Sequence, residues 1–457
     1  MCYYNNAAQS QGAKMPKSTN QFQKPLTAKF SSSGNIEIGG CDLVNLADSF
    51  GTPLYVLDEV TLRKICNDYK KAFEAYPKTH IMYASKALCT SAVAKILSDE
   101  GLGFDTVSGG EIYTVYKSGV DMSKVLFNGN NKSFDELSLA LDLGVGRISV
   151  DNFLELALLN EIAVSKNKMA DILLRITPGI ECHTHEYIQT GHLDSKFGFD
   201  LTQIDEAVEL ILDEYKNLKL HGLHAHIGSQ IFETSIFSDE IEILGKEIKR
   251  LDDKFGIQLD EINIGGGIGV KYTQEDVPPS IYDVAEIIIN KLNEVVRKYN
   301  IEFPKLFLEP GRSIISTCGV TLYTVGSSKQ VPHGKKYVAV DGGMADNPRP
   351  SLYQAQFYAE IANRKEANET ETVTIAGRYC ESGDILINSI SLPQLDEGDI
   401  LCVYNTGAYN YSMASNYNRV TKPAMVLVND SNADLIVKRE TLDDLIAHDI
   451  IPKRLEK

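Results

Sequence analysis

Short apolar segments alternate with longer segments of helical period through the middle of this chain. Each apolar segment is short enough for a buried strand, and the residues after it repeat at helical spacing. The predicted strands are His80–Ala84, Gly103–Val107, Val125–Asn128, Arg147–Val150, Ile172–Ile176, Leu220–His226, Ile262–Ile264 and Leu306–Leu308. Eight strands separated by helices are the pattern of a (β/α)8 barrel.

The pattern changes after residue 319, where strand-like stretches are separated by Gly, Pro and Asn turns and one helical pattern spans Leu352–Asn363. We therefore predict a C-terminal β-rich barrel or sandwich domain over residues 319–457. Residues 36–50 would belong to the same domain, which would then be discontinuous in sequence. The barrel would span residues 51–318. Residues 1–35 are rich in Gln, Asn, Ser and Lys and contain no acid, so we expect a disordered tail. The alternative for this segment is a leader for an organelle.

Composition narrows the class of function. The 457 residues carry a formal net charge of −17, which argues against nucleic acid or an anionic membrane surface as the main ligand. The eight cysteines are scattered without metal-ligand spacing, so we expect no metal site and reduced thiols in the cytoplasm. No apolar run approaches the length of a membrane span.

Polar side chains follow the predicted strands, and the carboxyl ends of barrel strands form a single rim. Lys86 follows the first strand, where its amine could form a Schiff base with an aldehyde cofactor. The alternative is a solvated lysine at the start of a helix. The rim residues after other strands are Asp105, Asn128, Arg175, His226 and Glu309.

Two further motifs favour a cofactor with a phosphate group. Gly265, Gly266 and Gly267 follow a strand, and consecutive glycines allow backbone N–H groups to enclose a phosphate. The alternative is a flexible turn. Ser229, one strand upstream, could donate to the same phosphate.

The flat part of such a cofactor also has candidate partners. The His226 ring could stack on it, and Glu309 could keep a pyridine nitrogen protonated. Arg312 is suited to a substrate carboxylate. The alternative for Glu309 and Arg312 is a salt bridge between them.

Five motifs occur in one order along the chain: Tyr83-Ala84-Ser85-Lys86-Ala87, His226-Ile227-Gly228-Ser229-Gln230, Gly265-Gly266-Gly267, Glu309-Pro310-Gly311-Arg312 and Cys380-Glu381-Ser382-Gly383-Asp384. Together they resemble the fold type III pyridoxal-phosphate-dependent decarboxylases, which have an alanine-racemase-like barrel. The resemblance implies that Lys86 binds pyridoxal 5'-phosphate covalently, that His226 stacks on its ring and that Glu309 faces its nitrogen. The implied phosphate ligands are Ser229, Gly265, Gly266, Gly267, Gly311, Arg312 and Tyr409.

The resemblance also implies a substrate and a partner. The members that the chain resembles most convert meso-diaminopimelate to L-lysine and CO2. The residues implied for the far end of that substrate are Arg312, Arg349, Tyr353, Tyr409 and Glu381. A homodimer is implied in which Cys380, the proton donor, and Glu381 act in the barrel of the other subunit. The alternatives are another diamino acid, a polyamine precursor, or an inactive regulatory relative.

Overall fold

The structure is a computed structural model that describes residues 17–179, 195–364 and 369–456. Its first part contains short strands and two helices that lead into the barrel. These elements are a 3-10 turn at Thr19–Gln21, strands β1 (Lys29–Phe30), β2 (Ile36–Ile38) and β3 (Cys41–Asp42), helix α1 (Leu43–Phe50), strand β4 (Leu54–Asp58) and helix α2 (Glu59–Ala72).

Residues 17–35 have defined structure, so the prediction of a disordered tail is wrong for them, while residues 1–16 lie outside the described ranges. Ser18, Thr19 and Asn20 are buried. The Thr19 hydroxyl and backbone N–H both donate to the Asp68 carboxylate, at 2.5 and 3.0 Å. Hydrogen bonds to the barrel surface hold this polar segment, and composition carries no signal for such bonds.

Eight parallel strands form the barrel. They are β5 (Thr79–Ala84), β6 (Gly103–Thr106), β7 (Val125–Phe127), β8 (Arg147–Val150), β9 (Ala170–Thr177), with the short β10 (Phe199–Asp200) beside it, β11 (Leu218–His224), β12 (Glu261–Asn263) and β13 (Lys305–Leu308). Strand β13 pairs with β5 and closes the ring, so the predicted (β/α)8 barrel is confirmed.

Helices surround the barrel, and the longer ones bury an apolar face against the strands. They are α3 (Ser91–Asp99), α4 (Gly109–Lys117), α5 (Phe134–Leu143), α6 (Phe153–Ser165), α7 (Ile204–Asp213), α8 (Ser235–Phe255), α9 (Ile281–Tyr299) and α10 (Arg312–Ile315). Side chains capture several helix starts, as where Ser133 and Glu136 form a capping box on α5. Inside the barrel, Met82, Leu126, Leu173 and Phe307 form a separate apolar cluster.

The remaining chain is β-rich, as predicted. It contains β14 (Gly319–Gln330), β15 (Lys336–Val340), α11 (Arg349–Tyr353), β16 (Ala359–Ile361), β17 (Thr370–Ala376), β18 (Ile385–Pro393), β19 (Ile400–Tyr404), β20 (Ala424–Asn429), β21 (Asn432–Val437) and α12 (Leu442–Ile446). Strand β14 is central, because it pairs with β4, β15 and β19. An apolar cluster joins β2, α1 and β4 to this domain.

Strand β4 belongs to this β-rich sheet, although the sequence placed residues 51–58 at the start of the barrel. It pairs antiparallel with β14 and parallel with β20. All five residues of Leu54–Asp58 are buried. A run buried on both faces fits the centre of either sheet, so periodicity could not decide between them.

The helical pattern over Leu352–Asn363 is realised only in part. Helix α11 ends at Tyr353, because Gln354 adopts a left-handed conformation with φ of 54°. Residues Ala359–Ile361 instead form β16, which pairs with β19. Among the described residues, no helix has both the length and the apolar character needed to cross a membrane.

Candidate active site

A cavity of about 180 Å³ lies at the carboxyl ends of the barrel strands. It is lined by Lys86, His226, Ser229, Gly267, Ile268, Glu309, Gly311, Arg312, Ser313, Arg349, Tyr353, Tyr409 and Met413. Most of the residues singled out in the sequence therefore meet in one place. The β-rich domain contributes Arg349, Tyr353, Tyr409 and Met413, so the cavity is built by both domains.

A second cavity, of about 770 Å³, lies at the opposite mouth of the barrel. Three charged residues of its lining are paired with one another, since the Glu261 carboxylate accepts from Arg147 at 2.7 and 2.8 Å and from Lys305 at 2.9 Å. Barrel enzymes place their chemistry at the carboxyl ends of the strands. The smaller cavity is therefore the candidate active site.

Lys86 lies in a 3-10 turn, Ser85–Ala87, directly after β5. The Ala87 carbonyl accepts from the Tyr409 backbone N–H at 2.8 Å and from the Ser412 hydroxyl at 3.1 Å. Tyr409 itself has a φ of 63°, which turns the chain sharply at this point. These bonds attach the lysine turn to the β-rich domain.

Acidic neighbours control the charge of Lys86. Burial alone would lower the pKa of its amine, but Tyr409, Asp105 and Glu309 outweigh burial and raise the pKa above its ordinary value. Without a bound aldehyde the amine is therefore an ammonium. It must lose a proton before it can act as a nucleophile.

Glu309 is a buried carboxylate held by amide donors. Its Oε1 accepts from Asn263 Nδ2 at 2.7 Å and from Asn128 Nδ2 at 3.0 Å. His224 Nε2 lies 3.5 Å from Oε2. Burial would raise the pKa of Glu309, but the adjoining His224 ring and the Lys86 ammonium hold that pKa well below its usual range.

A second buried carboxyl, Asp105, lies close to Glu309, and Asn128 donates to it at 2.6 Å. Burial, and then the charge of Glu309, raises the pKa of Asp105 well above its ordinary value. Two neighbouring carboxyls in one buried site cannot both ionise readily. Of this pair, Glu309 therefore carries the negative charge.

The three glycines form a close turn against two neighbouring strand ends. A Cβ on Gly266 would lie 2.2 Å from the Glu309 carbonyl oxygen, and one on Gly267 would lie 2.7 Å from the Gly228 carbonyl oxygen. Gly267 also has a φ of 115°, which only glycine adopts readily. Gly265 has a Cβ position 2.5 Å from the His226 ring. The turn leaves no room for side chains, and backbone lines the cavity here.

His226 and Ser229 line the cavity beside this turn. The Gly266 backbone N–H donates to His226 Nδ1 at 3.2 Å, and burial lowers the pKa of His226 well below its ordinary value. The ring is therefore neutral. The Ser229 hydroxyl accepts from Arg312 Nη2 at 3.0 Å.

Two arginines face the same cavity from different domains. The guanidinium carbons of Arg312 and Arg349 lie 4.9 and 5.2 Å from the centre of the Tyr409 ring, and that of Arg349 lies 4.9 Å from the Tyr353 ring. Both arginines are buried, and within the described ranges neither forms an ion pair. Burial, and then the charge of Arg312, lowers the pKa of Arg349. Such a pair attracts an anionic ligand.

Cys380 and Glu381 do not line the cavity of their own chain. Both side chains are exposed, and the Cys380 backbone N–H donates to the Asn418 side-chain oxygen at 2.9 Å. Their sequence-based assignment to the site of another subunit stays a prediction.

Sequence reasoning missed two residues that support the site. Asn263 donates to Glu309 and also accepts from the Gly265 backbone N–H at 2.9 Å. Its position directly before the glycines, at a strand end, was the available signal. Tyr272 contacts Arg312 from a loop whose sequence has no regular pattern, and no signal pointed to it.

The residues around the cavity fit pyridoxal phosphate. The glycine turn, whose space any Cβ would fill, exposes backbone to a phosphate beside Ser229 and Arg312. Glu309 is anionic, as a partner of a protonated pyridine nitrogen must be. Lys86 supplies the only lysine amine among the residues that line the cavity.

Comparison with known proteins agrees with this fit. The model of the pyridoxal binding domain of pyridoxal-dependent decarboxylases matches residues 62–316. The diaminopimelate decarboxylase of Synechocystis sp. is 49% identical, over 96% of this chain and 95% of that protein. The diaminopimelate decarboxylase of Bacillus subtilis is 47% identical, over 93% of this chain and 97% of that protein.

A solved structure shows the same architecture. The crystal structure of diaminopimelate decarboxylase from M. jannaschii has a TM-score of 0.89 and 36% identity, and the match covers 95% of this chain and 100% of that one. The same enzyme has also been crystallised with L-lysine. This chain belongs to the diaminopimelate decarboxylase family of pyridoxal-dependent carboxy-lyases, and its cofactor is pyridoxal phosphate.

Proposed function

We propose that this chain decarboxylates meso-2,6-diaminopimelate to L-lysine and CO2. The observation that carries the proposal is a pair of buried arginines, Arg312 and Arg349, in the same cavity as Lys86 and Glu309. Neither arginine has an acidic partner among the residues that the structure describes. Diaminopimelate has a carboxylate at each end. One can leave as CO2 while the other neutralises the arginines. A substrate with a single carboxylate would give neither guanidinium group a substrate carboxylate at the time of reaction.

The residues that would hold the cofactor follow from the cavity. Lys86 would bind its aldehyde carbon, and Glu309 would pair with its ring nitrogen. The neutral His226 ring would pack on its face. Ser229 and the glycine turn Gly265–Gly267 would bind its phosphate, together with backbone at Gly311 and the Tyr409 side chain.

The bound cofactor supplies an electron sink for the electron pair that remains when CO2 departs. Glu309 stabilises that sink, because its negative charge is held in place by hydrogen bonds from the amides of Asn128 and Asn263. Arg312, Arg349 and Tyr353 bind the far carboxylate and so select which carboxylate reaches the reacting end. This positioning converts binding energy at the far end into orientation at the near end.

A proton must then reach the carbon from which CO2 has left. We assign this step to Cys380 of the partner subunit, with Glu381 of the partner subunit against the far ammonium group. The exposure of these side chains in the single chain supports a role in another subunit. Exposed apolar residues near the C-terminus, including Leu442 and Ile450, are a surface that a second subunit would cover.

The shared site can be tested with two inactive variants. Lys86→Ala and Cys380→Ala homodimers should each be nearly inactive. Subunit exchange between equal amounts should make about half of the dimers heterodimers, each with one intact site, so activity should return to about a quarter of wild type. Verified exchange without recovery would place Cys380 in its own chain's site.

A substrate panel tests the reaction itself. Protein loaded with pyridoxal phosphate should release CO2 from meso-diaminopimelate and form L-lysine in equal amount. Lysine and ornithine have no second carboxylate, so their kcat/KM should be lower by about a hundredfold or more. Equal turnover of lysine or ornithine would contradict the proposed substrate.

We also propose that the enzyme works in a reducing compartment such as the cytoplasm. The six cysteines within the described ranges are free. Secreted proteins commonly oxidise such residues to disulfides.

A further inference from the structure

An N-terminal strap, residues 17–24, lies against the loop Gly269–Pro279 that follows the glycine turn. The Asn20 side-chain amide donates to the carbonyls of Gly269 and Pro279, each at 2.9 Å. The Gln21 amide donates to the Pro278 carbonyl at 2.9 Å. Asn20 is fully buried, so these bonds are shielded from water. The strap therefore fixes both ends of the loop.

The strap also fixes the middle of the loop, where Tyr272 lies. The Gln23 amide donates to the Tyr272 carbonyl at 2.9 Å, while the Tyr272 backbone N–H donates to the Asp276 carboxylate at 2.9 Å. The Tyr272 ring packs edge-on against Phe357 with 5.4 Å between centroids. Asn405 joins strap and loop, because its amide donates to the carbonyls of Gln23 and Lys271 at 2.7 and 3.0 Å.

Tyr272 connects the strap and the loop to the active site through its hydroxyl group. Its hydroxyl oxygen accepts from Arg312 Nη1 at 2.8 Å and from the Ser316 hydroxyl at 3.2 Å. Among the described contacts, the hydrogen bonds of the Arg312 guanidinium go only to Tyr272 and Ser229. The two acceptors hold opposite edges of a planar group, and this defines its orientation.

We propose that Tyr272 is a positioning residue that orients Arg312 toward the far carboxylate of the substrate, and that the N-terminal strap holds Tyr272 in place. This inference rests on the proposed function, because it assigns Arg312 to that carboxylate. Without the hydroxyl, Arg312 Nη1 would lose its acceptor in a buried site. The guanidinium would then rotate toward a different acceptor, and it would bind the far carboxylate of the substrate less tightly.

The test uses two ligands that separate orientation from general damage. L-lysine retains the far carboxylate of diaminopimelate, whereas cadaverine has the same chain and amines without it. Their dissociation constants would be measured by calorimetry on full-length protein loaded with pyridoxal phosphate. Tyr272→Phe should weaken the binding of lysine about tenfold to a hundredfold, which is the scale of one hydrogen bond to a charged group. The affinity for cadaverine should stay within about twofold of the wild-type value. The KM for meso-diaminopimelate should rise more than kcat falls.

Tyr299→Phe is the matched control, because it also removes a tyrosine hydroxyl bond, 2.6 Å long to Glu242, on the barrel surface. This variant should change the affinity for neither lysine nor cadaverine. Equal lysine affinity in Tyr272→Phe and wild type would overturn the positioning role, and so would an equal loss of lysine and cadaverine affinity. If wild type binds cadaverine but not lysine, the proposed function itself fails, and that outcome is recognised before any variant is made.

The strap is tested by point variants in the full chain. Asn20→Ala and Gln23→Leu remove hydrogen bonds to the loop. Both variants should lower the affinity for lysine, as Tyr272→Phe does, and leave the affinity for cadaverine unchanged. Lys17→Met is the control, since it removes only an exposed ion pair with Asp283. Combining Gln23→Leu with Tyr272→Phe should add little to the loss of Tyr272→Phe alone. Wild-type lysine affinity in both strap variants, or full additivity in the double variant, would contradict the role of the strap.

Discussion

Replacing Arg349 with methionine should separate the stability of the chain from its activity. Arg349 is buried, its Nε has no hydrogen-bond partner, and no acid pairs with it among the described residues. Methionine has a similar length and can occupy the space between Tyr353 and Tyr409 without a charge. The variant therefore removes the ligand-binding group and also relieves the free protein of an uncompensated cation.

The substitution should affect the free energy of unfolding and kcat/KM differently. In the free protein, the two ring contacts of Arg349 contribute about 0.5–1 kcal/mol each, whereas an unpaired buried polar group costs about 1–3 kcal/mol. The free energy of unfolding should therefore change by only about −1 to +2 kcal/mol. During reaction, the far carboxylate loses a buried partner, which costs about 2–5 kcal/mol. This corresponds to a fall in kcat/KM of about 30-fold to 5,000-fold.

Denaturant unfolding and steady-state decarboxylation of meso-diaminopimelate measure the two effects on the same preparation. Arg250→Met is a suitable control, because that arginine is paired with Asp205 and Glu247 on the surface. It should lose a little stability and no activity. If Arg349→Met loses several kcal/mol of stability together with its activity, Arg349 is structural. If kcat/KM is unchanged, the far carboxylate binds elsewhere.

Three further predictions concern one buried carboxyl of the β-rich domain and two residues beside Glu309. Burial raises the pKa of Asp346 to about 7. Between about pH 4 and 7, the folded chain therefore keeps a proton that the unfolded chain loses. As the pH rises through this range, the contribution of Asp346 should lower the free energy of unfolding by about 1.4 kcal/mol per pH unit. Asp346→Asn should flatten that slope in denaturant titrations from pH 4 to 8, and an unchanged slope would refute the assignment. Asn263→Ala should lower kcat about tenfold to a hundredfold by withdrawing a donor from Glu309, as initial rates would show; a wild-type kcat would mean that Asn128 suffices. Gly266→Ala should weaken the binding of pyridoxal phosphate, because its Cβ would lie 2.2 Å from the Glu309 carbonyl oxygen, and wild-type affinity by absorbance titration would contradict the close turn.

The barrel and most of the site could be predicted because barrel topology converts sequence position into spatial position. Once the strands were assigned, Lys86, Glu309 and the glycine turn had to lie on one rim, however far apart they are in sequence. Local geometry reinforced this, since Gly267 requires a backbone conformation that other residues avoid. The exposed position of Cys380 in the single chain fits the predicted sharing, which awaits the complementation experiment.

Contacts between loops were beyond prediction for a physical reason. The bond from Arg312 to Tyr272 depends on how a loop returns to the barrel rim, and hydrophobic periodicity carries no record of that path. The strap was misjudged because composition measures the apolar surface that a segment can bury, whereas Asn20 is held by hydrogen bonds. Strand β4 was misplaced because a fully buried run fits either sheet.

Covalent labelling tests most directly whether the cavity around Lys86 is the catalytic centre. Protein loaded with pyridoxal phosphate would be reduced with borohydride, digested and examined by mass spectrometry for the lysine that carries the pyridoxyl group. We expect a single labelled site, Lys86, with loss of decarboxylation in proportion to labelling and protection of the site by meso-diaminopimelate. Labelling of a different lysine, or full labelling of Lys86 with activity retained, would contradict it.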